Sequence, residues 1–250
     1  NAPNQYLGLV DAANTQSIEV VRGPESSLYG SDALGGVVQV LTKLAQVREG
    51  GQPWAEGRVL GRYASADHTW LGRGEFQGGG GDVAFRIGVT GQDSGNRRTG
   101  AGERIRPSDY NAHAGDFSIA WAPGQHEFLF NVQYLNQPNT PRSDELVPGF
   151  GRDEAPNAIF NFEPNRRSFA HGRYRYHGDL GFADTLELHL GYQSITDDRR
   201  TQDTGSANQD RERNESELWG VSGSFSKLLG SHLVSYGFET YHDKVTSSRF

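Results

Sequence analysis

The sequence predicts an all-β protein, an antiparallel up-and-down meander of transmembrane β-barrel type with about nine strands, preceded by a smaller folded segment. Three observations carry that reading. From Trp54 onward apolar and polar residues alternate in segments of roughly ten, the period of a strand whose two faces meet different surroundings. The connections between these segments alternate between tight turns and long polar loops. No run of about 18 apolar residues is present, and no sustained helical period interrupts the alternation, so crossing helices and βαβ units are both disfavoured.

The first elements differ from the rest. A short strand over 18–22 runs into a Gly23-Pro24 break, then one helical turn from Ser26 to Tyr29, a glycine-rich reversal and a second strand over 37–42. Pro24 suits a first helical position, where its missing N–H is no loss. Gly30, Gly35 and Gly36 allow positive φ or close backbone approach.

The alternating segments then fall near 54–64, 69–78, 82–92, 112–122, 125–136, 167–180, 184–196, 214–226 and 232–245. In the fifth, Phe128, Phe130, Val132 and Tyr134 share one face, against Glu127, Asn131 and Gln133 on the other, with Leu129 breaking the pattern. Val83, Phe85, Ile87 and Val89 oppose Arg86 and Thr90 in the third. Tight turns are expected at Gly80-Gly81-Asp82, Pro123-Gly124, 181–184 and 228–230, and long loops over 93–111, 137–166 and 197–213. The first link, Ser65 to His68, is short although it falls on the long-loop side. Trp70, Trp121, Trp219, Tyr134, Tyr192 and Tyr236 lie on the apolar face, several near strand ends, as in an aromatic girdle at a lipid headgroup boundary.

Composition removes several functions. A formal charge of −7 with no basic stripe argues against nucleic-acid binding, and the absence of cysteine removes disulfides and thiolate metal sites. No phosphate loop, dinucleotide fingerprint, nucleophile elbow or zinc helix is present. Asp197, Asp198, Glu215 and Glu217 read as solvated charges, so no catalytic residue is assigned. His171, Arg173, Arg175 and His177 share one polar face, with the two histidines too far apart for one metal. A soluble β-sandwich and a passive porin or barrel enzyme remain as rival readings, the first needing no aromatic rim.

The stretch Ser17-Ile-Glu-Val-Val-Arg-Gly-Pro-Glu-Ser-Ser-Leu-Tyr-Gly-Ser-Asp-Ala-Leu-Gly-Gly-Val-Val-Gln-Val-Leu-Thr-Lys43 resembles, over its 27 positions, the closing segment of the plug domain of TonB-dependent outer-membrane receptors. That resemblance implies a Gram-negative outer-membrane location and transport in place of catalysis, with no cofactor and no metal. It divides the chain into the end of a plug (1–48) and the start of a barrel (49–250) that has about 22 strands in the family. A signal peptide, TonB box and early plug are expected to lie ahead of Asn1, and the later strands beyond the last residue. Implied partners are TonB with its inner-membrane energising complex, an iron chelate, haem or cobalamin ligand, and outer-membrane lipid and lipopolysaccharide.

The run Ser26 to Val38 is most similar to the haem and haemoglobin receptor branch. Arg22, with Gly23, Pro24, Tyr29, Gly30, Gly35 and Gly36, is the motif implied to latch the plug to acidic residues of the wall. Ligand contacts are expected in the external loops. The candidates are Arg97, Arg98, Arg104, Arg106 and Tyr110, a basic cluster suited to an anionic chelate or haem propionates. Phe150 joins them from a proline- and phenylalanine-bearing loop long enough to cap the mouth.

Overall fold

The computed structural model describes residues 6–23, 35–149, 151 and 153–250, with residues 6 and 7 by backbone alone. Two 3-10 turns, Tyr6–Leu9 and Ala12–Asn14, lead into an antiparallel pair, β1 (Thr15–Arg22) and β2 (Gly36–Thr42). The helical turn expected over 26–29 lies outside the described residues.

After an eleven-residue connection the meander begins with β3 (Trp54–Ala64), β4 (Thr69–Gly80), β5 (Val83–Ser94), β6 (Tyr110–Trp121) and β7 (His126–Gln137). A two-residue bridge strand, β8 (Thr140–Pro141), precedes β9 (Asn157–His177), β10 (Thr185–Asp203), β11 (Asp210–Leu229) and β12 (His232–Arg249). Each long strand pairs antiparallel with the next along the chain, apart from β8, which pairs only with the outer part of β9. The two-residue turns after β4 and β11 depend on Gly81 and Gly230, whose φ values of 57° and 63° match the right-handed twist of the flanking strands.

The period-2 pattern sorts side chains onto two surfaces. Val59, Ile87, Val89, Ile119, Phe130 and Leu190 lie exposed on the outward face, as a lipid-facing band requires. Aromatic contacts mark its margins. Near the short-turn rim Trp121 stacks on Phe128 at 5.2 Å, and Phe225 on Tyr236 at 5.2 Å. Toward the long-loop rim Tyr63 meets Trp70 at 4.7 Å, and Tyr192 meets Trp219 at 4.5 Å. Leu129, the residue out of pattern, is buried on the inward face. No helix of the described residues is long and apolar enough to cross a membrane, which says nothing about crossing by strands.

The outer parts of the last strands correct the sequence expectation. Residues 157–166 and 197–203 were expected in loops but extend β9 and β10, and 210–213 extend β11. Beyond the lipid both faces of a strand meet water, so apolar alternation ceases while the ladder continues. Charge pairs across the ladder hold it instead: Arg200 meets Glu163 at 2.9 Å, Arg199 approaches Glu212 at 4.0 Å, and Arg249 pairs with Asp210 at 2.5 Å. Phe160 and Phe162 therefore sit in β9, and Phe162 is buried beneath the Arg199 guanidinium.

Candidate functional site at the inner face of the wall

Asp11 caps the second 3-10 turn, its Oδ1 accepting from the Ala13 amide at 2.9 Å. That cap leaves Oδ2 aimed at the wall, where it accepts from Thr90 Oγ1 of β5 at 2.7 Å and from Arg73 Nη1 of β4 at 3.1 Å. Arg73 is the hub. Only 2 % exposed, it donates through Nε to Glu75 Oε2 at 2.9 Å and through Nη2 to Asn14 Oδ1 at 3.3 Å, and it pairs with Asp116 Oδ2 of β6 at 2.8 Å.

Glu75 also accepts from Arg86 Nη2 of β5 at 2.6 Å, and Lys43 Nζ stands 3.9 Å away. Three cations, Lys43, Arg73 and Arg86, thus face three carboxylates, Asp11, Glu75 and Asp116. The exposed Arg58, opposite Glu75 in the ladder, stands 3.7 Å from it. A buried cluster of this kind persists because its charges are matched. Burial holds the Lys43 ammonium below its usual range, partly offset by the Glu75 carboxylate.

Backbone geometry makes room for the hub. Gly88 of β5 lies under the Arg73 guanidinium, and a Cβ there would collide with Nη2. Three further contacts tie the first segment to the same face. The Ala45 amide donates to Ser118 Oγ at 2.8 Å, Gln133 Nε2 donates to Thr42 Oγ1 at 2.9 Å, and Leu9 packs with Leu135 and Ile195. Below Arg86 a cavity of about 390 Å³ opens between this segment and the wall, lined by Lys43, Glu56, Arg58, Glu75 and Gln77.

The motif residues chosen from the sequence sit apart from this hub. Arg22 ends β1 opposite Gly36, with an exposed side chain and no ion pair among the described residues. Gly23 and Gly36 have φ values of 111° and 143°, and a Cβ on Gly36 would lie 2.5 Å from the Val21 carbonyl, so both positions need glycine. Gly35 accepts from the Gly23 amide at 3.4 Å. Pro24, Tyr29, Gly30 and Phe150 lie outside the described residues.

The basic loop is folded over the first link. Arg98 and Arg104 bridge, the Arg98 amide donates to the Ala66 carbonyl at 3.2 Å, and Arg104 Nη2 donates to His68 Nε2 at 2.8 Å. The side chains of Arg97, Arg98, Arg104 and Arg106 are exposed, and Arg97 lies close enough to Asp67 to act on its carboxylate. Tyr110 is half-buried and its hydroxyl accepts from Gln92 at 2.8 Å. His177 turns to Glu127 at 3.5 Å, whereas His171 meets His189 of the next strand at 2.9 Å. Among the described residues no three of His, Asp and Glu converge as a metal cluster.

Sequence reasoning missed Asp11, Arg73, Glu75, Arg86 and Asp116. A signal did exist, since an arginine followed two residues later by a glutamate puts two charges on one face of a strand. What alternation cannot supply is the register that lines them up with β5, β6 and the first segment.

A two-faced antiparallel wall with an aromatic-edged apolar exterior, holding a small folded segment against its interior, is the architecture of a plugged outer-membrane β-barrel. The profile of the family described as TonB-dependent Receptor Plug Domain matches residues 1–37. The "Hemin receptor" of Yersinia pestis is 29 % identical over 245 residues, 95 % of this chain and 34 % of that protein. The "Vitamin B12 transporter BtuB" of Vibrio vulnificus is 56 % identical over 36 residues, 14 % of this chain and 6 % of that protein. Among solved structures, "Copper transporter OprC" superposes with a TM-score of 0.79 at 12 % identity, covering 96 % of this chain and 35 % of that one, a likeness of fold. The plug profile, the relatives and the shared fold support a TonB-dependent receptor of the Gram-negative outer membrane, and the chain spans about a third of the length of the hemin receptor it matches. These relatives are receptors and transporters, not enzymes.

Proposed function

We propose that the whole receptor binds a scarce iron-bearing nutrient at its external loops and imports it with energy delivered through TonB, this chain supplying the end of the plug (1–48) and the first part of the barrel (49–250). The observation that carries the reading is the Asp11–Arg73–Asp116 cluster. It holds a folded segment across the inner wall, where a passive porin would leave an open lumen. A soluble sandwich is disfavoured because the outward apolar face meets no second sheet among the described residues.

Haem is the preferred cargo. The hemin receptor aligns over nearly the whole chain, wall included, while the cobalamin transporter aligns only over 36 residues. Ferric siderophore and cobalamin are the alternatives. The exposed Arg97, Arg98, Arg104 and Arg106, with Tyr110 and Phe150, are proposed to meet the anionic groups of the cargo. Arg22 is proposed to latch the plug to a wall carboxylate, and the motif glycines to shape its strand pair. Neither outer-membrane lipid nor lipopolysaccharide is cargo on this reading; they are the surroundings of the outer face and loops.

The test is growth of an iron-starved, haem-synthesis-deficient strain expressing the complete receptor. Haem is expected to support growth only when receptor and TonB are both present. Equal growth without TonB refutes energised import, and growth on ferric siderophore but not on haem refutes the cargo assignment.

A further inference from the structure

We propose that Arg167 and Arg173 form an internal station for a carboxylate of the cargo on the inner wall, uncovered when the first segment lifts. The inference rests on the import function proposed above and adds to it a second contact, behind the external loops.

Alternate positions of β9 place Arg167, His171, Arg173 and Arg175 on one face. That face is the inner one, since Arg167 lies opposite Leu135 and Ile195, which pack with Leu9 of the first segment. The strand descends from the long-loop rim to the short-turn rim, so Arg173 lies six residues, about 20 Å, below Arg167.

Carboxylates on this face gather at its lower end. Glu187 takes Arg175 at 2.6 Å and His189 at 2.7 Å, while Glu127 takes Arg175 at 3.4 Å and His177 at 3.5 Å. His171 is satisfied by its hydrogen bond to His189 at 2.9 Å. Asp11 and Asp116 line a small gap beside Arg167, yet both pair with Arg73. Arg167 and Arg173 therefore have no ion pair among the described residues.

Arg167 is oriented without being neutralised. Its Nε donates to Gln193 Oε1 at 2.7 Å and its Nη1 to Gln133 Oε1 at 3.3 Å, and the guanidinium lies 4.7 Å from the centre of the Phe169 ring. Amide oxygens and a ring face hold the fork in place and leave its unit charge uncompensated, which suits it to a planar carboxylate. Arg173 is the lower step. Its Nε is buried with no hydrogen-bond partner among the described residues, and a buried cationic donor in that state is satisfied by an anion.

The docked segment guards the upper step. Arg167 shares its gap with Leu9 and Asn14, and Gln133, which accepts from Arg167, also donates to Thr42 at 2.9 Å. Lifting the segment uncovers the guanidinium while Gln133 and Gln193 keep it aimed. An anionic cargo then meets two uncompensated cations in descending order, and below them the carboxylates of Glu127 and Glu187 favour its release toward the short-turn rim.

The experiment uses cells expressing the complete receptor, with haem import measured per receptor-bound molecule. Haem dimethyl ester, whose two carboxylates are blocked, is the companion probe. Haem import is expected to fall about ten-fold in Arg167→Gln and in Arg173→Gln, the scale of one hydrogen bond to a charged group, with surface affinity unchanged. The ester should be imported alike by wild type and both variants, and His177→Gln, whose ring faces Glu127, should import haem as wild type does. Undiminished haem import by both variants overturns the station, as does an equal loss for the ester or in His177→Gln. A carboxylate of the receptor's own plug offers the same chemistry. Faster hydrogen exchange over 9–15 and 42–46 in the cargo-free variants would assign the arginines to it and overturn the cargo contact. Should the variants fail to assemble, wild type decides: slower import of the ester supports the station, and equal import of haem and ester overturns it. Wild type that imports no haem with TonB present refutes the parent function and this inference together, an outcome visible before any variant is compared.

Discussion

Replacing Arg73 by methionine removes the hub while keeping an unbranched side chain of similar reach. In the docked state Asp116 and Asp11 would lose their cation, while Glu75 would keep Arg86, with Lys43 and Arg58 nearby. Removing one partner of a buried ion cluster costs about 3–5 kcal/mol, because the carboxylates left behind are dry. The lower end applies here, since Asp11 is 13 % exposed and Glu75 retains a partner. The wall ladder is the same whether or not the first segment is docked, and the stranded carboxylates regain water only when it lifts. The loss therefore falls mainly on docking. At about 1.4 kcal/mol per factor of ten, roughly 3 kcal/mol raises the lifted population about a hundred-fold.

Hydrogen exchange of the full-length receptor reads that population directly. Amides over 9–15 and 42–46 should exchange about a hundred-fold faster in Arg73→Met, with β6 and β7 little changed. An acceleration below ten-fold would show that the cluster does not hold the segment. Equal acceleration through β4 to β7 would show that Arg73 supports the wall itself.

Three other perturbations test separate parts of the architecture. Gly88→Ala should displace the Arg73 guanidinium and accelerate exchange over 9–15 by roughly 1–3 kcal/mol of overpacking; Gly72→Ala, with open space above it, is the matched control, and equal effects of the two would refute the steric argument. Phe130→Arg places a cation on the lipid-facing band and should destabilise insertion by about 2–4 kcal/mol, seen as a lower fraction of receptor assembled in liposomes across a urea series; unchanged assembly would deny that this face meets lipid. In the turn after β9, hydrogen bonds from the Lys227 ammonium hold the Asp179 and Asp184 carboxyls below their ordinary value of 3.8. Their contribution is complete well above pH 3.8 and is lost as pH falls through the lower folded values, so protection of the Gly178 and Leu180 amides, corrected for intrinsic rate, should drop there, and Lys227→Gln should shrink the drop, leaving the part due to the Gly181 and Leu228 amides.

The wall was legible in the sequence because lipid and lumen impose opposite demands on successive residues. Nine alternating segments became nine long strands, and β3 ends where alternation ends, at Trp54 and Ala64. Legibility failed where that contrast vanished, in the extensions of β9 to β11 beyond the lipid, whose order comes in part from charge pairs between strands. The site failed for a related reason. Arg73, Glu75 and Arg86 read as ordinary lumen-facing charges until register set them against Asp116 and Asp11. His171 was matched in sequence with His177 on its own strand, whereas its partner, His189, stands across the ladder. Chemistry that is local in a sheet is distant in sequence.

The polarity of the cluster bears on how a plug can be both held and released. With the buried arginine carried by the wall, lifting the first segment removes one carboxylate, Asp11, and one loosely placed ammonium, Lys43. Arg73 keeps Asp116 and Glu75, and Arg86 keeps Glu75. No charge is left dry and unpaired on the wall, while Asp11 and Lys43 return to water on the moving segment. A buried arginine on the segment facing a single wall carboxylate would behave differently, since detachment would strip both ions at once. Release here has a bounded penalty, the loss of one shared carboxylate, one charge-assisted hydrogen bond to Asn14 and the neutral ones to Thr42 and Ala45. Redocking meets a wall whose cations are already held in place. The pairs Arg73–Asp116 and Arg73–Glu75 are thus what allow Arg73–Asp11 to be broken and remade.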